Sequence, residues 1–220
     1  MKKINIPSNL TTLAYNSIRE YVLQGRLDES SRLTEEFLSG QLGISKSPIR
    51  EALNRLEAEG LIRIEPRKGA YLRRLTHTEI NELYDIREAL EAHVVRTASV
   101  TPALISELRQ SVRRQRALLK ANDKAHYIEE DVRFHSAISQ ATGNGYLCTV
   151  LENIQNQIWL SRRKSYDLSS STAPDSHDAI VKALEEGSPE KAENAMREHI
   201  HTVRQRLLQF LEDQQLAHTG

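Results

Sequence analysis

Apolar residues at the start of the chain recur at helical spacing and then give way to short strand-like runs. Leu13, Ile18, Val22 and Leu23 fall on a helical period, and Gly25 to Ser31 reads as the turn that ends this helix. Thr34 reads as the N-cap of a second helix carrying Phe37 and Leu38. Leu42-Gly43-Ile44 predicts a tight turn, after which Ser45 opens a third helix. Pro48 sits in its first turn, where a missing N–H costs nothing. Ile49, Leu53 and Leu56 are its inward positions, and Gly60 stops it. Helix, glycine-containing turn, helix is a helix-turn-helix outline. Leu61-Ile62-Arg63-Ile64 and Ala70-Tyr71-Leu72 then flank Pro66-Arg67-Lys68-Gly69, which predicts a hairpin with two cations at its tip, a basic wing.

From Thr78 onward the pattern is helical throughout and predicts about six helices. Ile80, Leu83, Ile86, Leu90 and Val94 mark the first, and Pro102 starts the second with Leu104, Ile105, Leu108, Val112 and Leu119. The third runs from about Asp123 to Thr142 and stops at Gly143-Asn144-Gly145, and the fourth carries Leu147, Leu151, Ile154, Ile158 and Trp159. Leu168 to Pro174 reads as a serine-rich loop, followed by a short helix with Ile180, Val181 and Leu184 that ends at Gly187. Ser188-Pro189-Glu190 caps the last helix, which carries Met196, Ile200, Val203, Leu207 and Phe210. Short connections between helices imply an antiparallel bundle. The predicted fold is mainly α: an N-terminal winged helix-turn-helix over residues 1–75, then an all-α antiparallel helical bundle over residues 76–220.

Charge sharpens that division. The chain has 30 Lys+Arg and 30 Asp+Glu, a balance that by itself argues against a phosphate-backbone partner. Residues 1–75 nevertheless hold 13 basic and 9 acidic residues, leaving the remainder of the chain acidic by the same margin. A basic front therefore precedes an acidic back. Cys148 is the single cysteine, which excludes an internal disulfide and CxxC-type zinc or redox sites and fits a reducing compartment. The uncharged stretch Ser136 to Leu151 is too short and polar to span a bilayer, and Ile4 to Asn9 lacks the apolar run of a signal peptide. A cytoplasmic protein with no membrane partner is the expectation.

The third helix holds the front domain's chemistry. With Ile49 and Leu53 turned inward, Ser45, Lys46, Ser47 and Arg50 share the opposite face and the helix N-terminus, an end that favours anions. In a major groove Lys46 and Arg50 would meet guanine or phosphate, and the serines phosphate or base edges. A plain solvated face is the competing reading of such a helix taken alone. The run Leu33-Thr34-Glu35, Leu42-Gly43-Ile44-Ser45, Ser47-Pro48-Ile49-Arg50-Glu51-Ala52-Leu53, Glu59-Gly60-Leu61-Ile62 and Pro66-Arg67-Lys68-Gly69 resembles the winged helix-turn-helix of the GntR family of bacterial transcription regulators. The resemblance implies DNA contacts by Arg32, Ser45, Lys46, Ser47, Arg50, Arg67, Lys68 and Gly69. Lys46 and Ser47 stand where the family often has Arg and Thr, and Glu36 stands where some members carry a DNA-contacting arginine.

In the back domain Asp131 and His135 are one helical turn apart, with His177 and His199 on two later helices. One carboxylate and three imidazoles enclose a divalent cation if those faces converge. Single histidines are more often surface or hydrogen-bonded residues, which is the reading for His77, His93, His126, His201 and His218. The Asp-x3-His, Ser-His-Asp-Ala-Ile and Ala-Met-x2-His patterns resemble the FCD ligand-binding domain of FadR-like GntR regulators. That resemblance implies Asp131, His135, His177 and His199 as ligands for zinc, nickel or manganese, with an effector carboxylate at open positions. It also implies Arg87 as an effector-binding residue, although an Arg87–Glu91 surface pair explains the same spacing equally well. The Arg162-Arg163-Lys164 cluster reads as a solvated face, with the mouth of the ligand cavity as the competing place.

The expectation is a non-enzymatic homodimeric regulator that binds a palindromic operator in double-stranded DNA, because one recognition helix reads one half-site. A small carboxylate metabolite and the metal would control affinity by favouring one arrangement of the protein. Two rivals are a metal-dependent phosphohydrolase, prompted by His177-Asp178, and an architectural DNA binder with a merely structural back domain.

Overall fold

The computed structural model describes residues 8–24, 27, 31–166 and 171–219. Most of the predicted Gly25–Ser31 turn and part of the serine-rich loop lie outside them. The chain forms two compact units, Met1–Arg74 and Leu75–Gly220.

In the first unit α1 (Ser8–Leu23) packs on α3 (Lys46–Ala58), and α2 (Glu35–Leu42) also packs on α3. The Thr34 hydroxyl accepts from the Phe37 amide at 3.1 Å and so caps α2, while Gly43 ends it in the left-handed region at φ 65°. Ile49, Ala52, Leu53 and Leu56 turn inward from α3 against Ile18 and Val22 of the same core. Leu13 and Phe37 depart from their expected places and are exposed, because Ala14, Tyr15 and Leu38 beside them take the inward positions. Strands β1 (Ile62–Glu65) and β2 (Gly69–Leu72) form the antiparallel wing, with Ile62 opposite Leu72 and Glu65 opposite Gly69. Leu33 extends this sheet through a reciprocal pair of 2.8 Å backbone hydrogen bonds with Ala70.

The second unit is helical among its described residues: α4 (His77–Thr97), α5 (Pro102–Lys120), α6 (Lys124–Gln140), α7 (Gly145–Lys164), α8 (Ala173–Glu185) and α9 (Pro189–Thr219). Its helix starts follow the side chains that precede them. Thr76 and Glu79 form a reciprocal capping box on α4, Thr101 caps α5 ahead of Pro102, and Asp123 and Asn144 cap α6 and α7. Helix α8 begins at Ala173, so Ala173 and Pro174 belong to the helix rather than to the expected loop, with proline in the first turn. Ile86 is exposed on α4, while Ile80, Tyr84 and Val94 point inward. These join Leu108, Val112, Phe134, Ile138, Ile158, Ile180, Met196, Ile200 and Leu207 in one continuous core. Helix α4 packs on α6, α7 and α9, α5 packs on α6 and α8, and α8 packs on α9. Residues from all six helices thereby reach one point inside the bundle.

Candidate functional site

Helix α6 supplies the base of this point. Asp131, Phe134, His135 and Ile138 share one face by helical spacing, and all four are buried. His177 comes from α8 and His199 from α9, both within 1% of complete burial. One ligand atom from each of Asp131, His135, His177 and His199 lies within 4.8 Å of the others, a group that could hold a metal ion. His177 Nε2 is 3.2 Å from His199 Nε2 and 3.7 Å from Asp131 Oδ1, and His135 Nε2 is 3.9 Å from Asp131 Oδ2.

The surrounding groups fix which nitrogens face inward. His177 Nδ1 donates to Gln115 Oε1 at 2.8 Å, and His135 Nδ1 donates to Glu91 Oε2 in a short contact, leaving both Nε2 lone pairs directed into the cluster. The Phe134 ring stacks on His177 with centroids 4.1 Å apart, restricting that imidazole from the apolar side. Asp131 Oδ1 and His199 Nδ1 are buried without a hydrogen-bond partner among the described residues. A buried carboxylate oxygen left in that condition is the property of a group suited to a cation.

Electrostatics point the same way. Burial opposes the charged form of Asp131, but the Arg162 guanidinium beside it outweighs that and holds the carboxyl well below the usual carboxylate range. Burial likewise opposes ionisation of Glu91, whose carboxyl is brought down to about 2 by Arg87 and His135. Burial pushes His177 down to about 3 despite the attraction of Asp131, and it also holds His199 well below its ordinary value. The cluster therefore combines ionised carboxylates with the neutral imidazoles of His177 and His199, the forms in which these groups bind metals.

Arg87 is fully buried and turned into the cluster. Its Nε donates to Glu91 Oε1 at 2.6 Å and its Nη2 to His135 Nε2 at 3.2 Å, so the surface-pair reading is corrected: the i,i+4 ion pair exists, but it is internal. Arg162 corrects the solvated-face reading. It is only 8% exposed and ion-pairs with Asp131 through Nη2, while Nη1 donates to Gln155 Oε1 at 3.3 Å. Glu91, Gln115 and Gln155 are not singled out by sequence as parts of the site, and Arg162 is so only through the less favoured cavity-mouth reading. Gln155 and Arg162, seven residues apart on α7, share a helix face, but that spacing carries no sign of which face is inward. Among the other histidines, His77 meets Glu212, His126 meets Asp123, and His93 and His201 are exposed. The side chain of His218 is outside the described residues. Asp178 is half exposed and pairs with Arg116 at the surface, apart from the buried cluster, which removes the second member of the phosphohydrolase dipeptide.

In the first unit Ser45, Lys46, Ser47 and Arg50 are all exposed on α3, and the Ser45 side chain makes no cap hydrogen bond. Arg50 Nε and Nη2 donate to the two carboxylate oxygens of Glu35 at 2.7 Å each, and Lys46 pairs with Glu36. Arg67 and Lys68 are exposed on the wing, and Arg32 Nη1 lies 3.5 Å from the Lys68 carbonyl oxygen at its root. Gly69 has a backbone role of its own: its φ is 110°, and a Cβ there would lie 2.7 Å from Leu33 O.

The family model "Bacterial regulatory proteins, gntR family" matches residues 10–72, and the FCD domain model matches residues 82–202. A probable D-xylose utilization operon transcriptional repressor of Paenarthrobacter nicotinovorans is 30% identical, across 86% of this chain and 86% of its own. A gluconate operon transcriptional repressor of Bacillus licheniformis is 29% identical across 76% of this chain and 72% of its own. The solved structure of E. coli McbR/YncC superposes with a TM-score of 0.82 at 22% identity, covering 91% of this chain and 98% of that one, a likeness of fold. The chain belongs to the gntR family of bacterial regulatory proteins, with an FCD domain following its winged helix-turn-helix, and is a DNA-binding transcription regulator rather than an enzyme.

Proposed function

We propose that this regulator is a homodimer whose affinity for a palindromic operator is set by a small carboxylate metabolite bound at a divalent metal in the helical unit. The carrying observation is the convergence of Asp131, His135, His177 and His199 in a buried cluster with two arginines against it. Mixed carboxylate and imidazole ligands suit zinc, nickel or manganese. The bound ion would act as a Lewis acid toward the oxygens of an effector. Glu91 and Gln115 orient two of the imidazoles, and Arg87 supplies positive charge beside them. The gluconate operon repressor among the similar proteins favours sugar acids within the carboxylate class.

In the winged unit, Lys46 and Arg50 serve the major groove from α3, with Ser45 and Ser47 at its N-terminus, and Arg32, Arg67 and Lys68 serve the backbone around the wing. Gly69 supports the wing turn. Two such units supply the paired half-sites that specificity requires. An effector alters DNA affinity only through a difference in its own affinity for the two arrangements of the dimer.

The test combines elemental analysis of purified protein with anisotropy titration of a selected operator, with and without each of a panel of carboxylates. Bound metal that is lost in His135→Ala and His199→Ala variants, and an acid-dependent change in operator affinity, are expected. Metal-free wild-type protein whose DNA affinity no acid alters would leave the architectural reading in place instead.

A further inference from the structure

Lys46 and Arg50 present different kinds of cation from α3, and the first turn of α2 meets them differently. Lys46 is a point charge and makes one contact, with Glu36, whose side chain is 71% exposed. Arg50 carries a planar fork, and Glu35 meets it along one whole edge: Nε donates to Oε1 and Nη2 to Oε2, each at 2.7 Å. Such a two-point pair fixes the plane of the guanidinium as well as its position. Glu35 is the more enclosed of the two acids, at 27% exposure. Its hydrogen bonds from Arg50 draw its carboxyl below the usual carboxylate range, so the pair stays ionised at neutral pH.

The carboxylate is mounted on backbone with little freedom. Glu35 opens α2 directly behind its cap, Thr34, whose hydroxyl accepts from the Phe37 amide at 3.1 Å. Leu33, one residue earlier, exchanges two 2.8 Å backbone hydrogen bonds with Ala70 of β2. Wing, cap and Glu35 therefore form one short path from β2 to the fork of Arg50. Glu35 takes two of the five N–H groups of the guanidinium. The far edge, Nη1 and Nη2, keeps two parallel N–H groups directed away from that carboxylate, on a side chain that is 63% exposed. A fork of this shape matches the O6 and N7 acceptors of guanine in the major groove. A carboxylate in this place is unfavourable to phosphate binding as such, since it repels the DNA backbone.

We propose that Glu35 is a positioning residue for base readout: it braces Arg50 so that the far edge of the guanidinium reads a guanine in each operator half-site, and its charge keeps that guanidinium from settling on a phosphate instead. The inference rests on the reading of α3 as the recognition helix, and adds which of its cations reads sequence and what aims it. Glu35 thus lowers affinity for DNA in general and raises it for one base.

Anisotropy at fixed salt on the full-length protein tests this with two duplexes, one selected by the wild-type protein from a random pool and one scrambled at equal length and composition. Glu35→Ala removes a negative charge from a DNA-binding face, so charge alone predicts tighter binding to both. Bracing predicts about tenfold weaker binding to the selected duplex and tighter binding to the scrambled one. In an Arg50→Lys background, where no fork remains to be aimed, Glu35→Ala tightens binding to both. Replacing the guanines of the half-sites one at a time by 7-deazaguanine removes the N7 acceptor. One such position weakens wild-type binding about tenfold, and binding by Glu35→Ala by under about threefold. Glu35→Gln, of nearly the same shape, gives the same pattern should Glu35→Ala not fold. A change of the same sign at both duplexes overturns the inference, as does the lack of any guanine whose N7 matters more to wild type than to the variant. Arg50→Ala protein that binds the selected duplex as tightly as wild type removes Arg50 from the DNA interface, and with it the reading on which the inference rests.

Discussion

Arg87 and Glu91 stand one turn apart on α4, both buried, joined at 2.6 Å and pointed at His135 rather than at solvent. A buried ion pair is weak support for stability as a pair, but each member depends strongly on the other. Glu91→Leu strands the Arg87 charge and is expected to cost about 3–5 kcal/mol in urea denaturation. The double variant Arg87→Met/Glu91→Leu is expected to lose less than either single variant. Additive losses in that cycle would show that the two side chains do not act as a unit.

Glu91 also orients a histidine of the candidate centre through Nδ1. Glu91→Gln is therefore expected to lower Zn(II) affinity by about 10–100-fold in competition with a chelating dye. Unchanged affinity in folded variant protein would detach Glu91 from the metal reading.

On the winged unit, Arg50→Ala is expected to weaken operator binding and to reduce the salt dependence of log K by about one. Glu36 holds Lys46 through an exposed pair, and surface pairs of this kind are readily exchanged for a phosphate. Glu36→Gln is accordingly expected to strengthen binding, most clearly at low salt. Anisotropy across a salt series checks both, and a Glu36→Gln protein that binds more weakly would place Glu36 among the DNA contacts.

Gly69→Ala places a methyl against Leu33 O and requires φ 110° of a residue with a side chain. Strain of about 1–3 kcal/mol is expected, released by loosening the Leu33–Ala70 bridge. Faster amide hydrogen exchange at Ala70, together with weaker DNA binding, is the signature; wild-type exchange at Ala70 would contradict it.

Burial lowers His177 from 6.5 to about 3 and lowers His199 as well, so both remain neutral in the fold while the unfolded chain takes up protons. The unfolded state then binds more protons as pH falls below 6.5, and chelator-treated protein loses stability from there toward about pH 3. Each histidine contributes a slope of up to about 1.4 kcal/mol per pH unit. Urea melts at about pH 7.5 and 5.5 measure this; equal stability at the two values would mean that these imidazoles are not buried neutral. The usual titration range of the Glu91 and Asp131 carboxylates lies lower, so their losses follow at more acid pH.

Element type was legible in the sequence because it depends on local signals. Thr34, Thr76, Thr101 and Asn144 cap the helices they precede, Gly43 turns the chain after α2, and Gly69 allows the hairpin its close approach to Leu33. Where the local signals competed, they misled: Leu13, Phe37 and Ile86 fit a helical stripe and are nevertheless exposed, since a neighbour on each helix meets the core instead. Asp131 and His135 could be placed on one face from their spacing alone.

What spacing could not decide is which face meets the rest of the protein. Arg87 and Glu91 at i and i+4 have the same sequence signature whether they lie in water or in the core, and Arg162 sits in a basic run that resembles a solvated surface. Their burial is decided by the packing of α4 on α6 and α7, and by the opposite charges those helices present. The chain itself determined its helices, its wing and four residues of metal-binding type. Tertiary packing alone brought those four together and set two guanidiniums against them, because long polar side chains go inward only where other elements supply the partners that compensate for lost water.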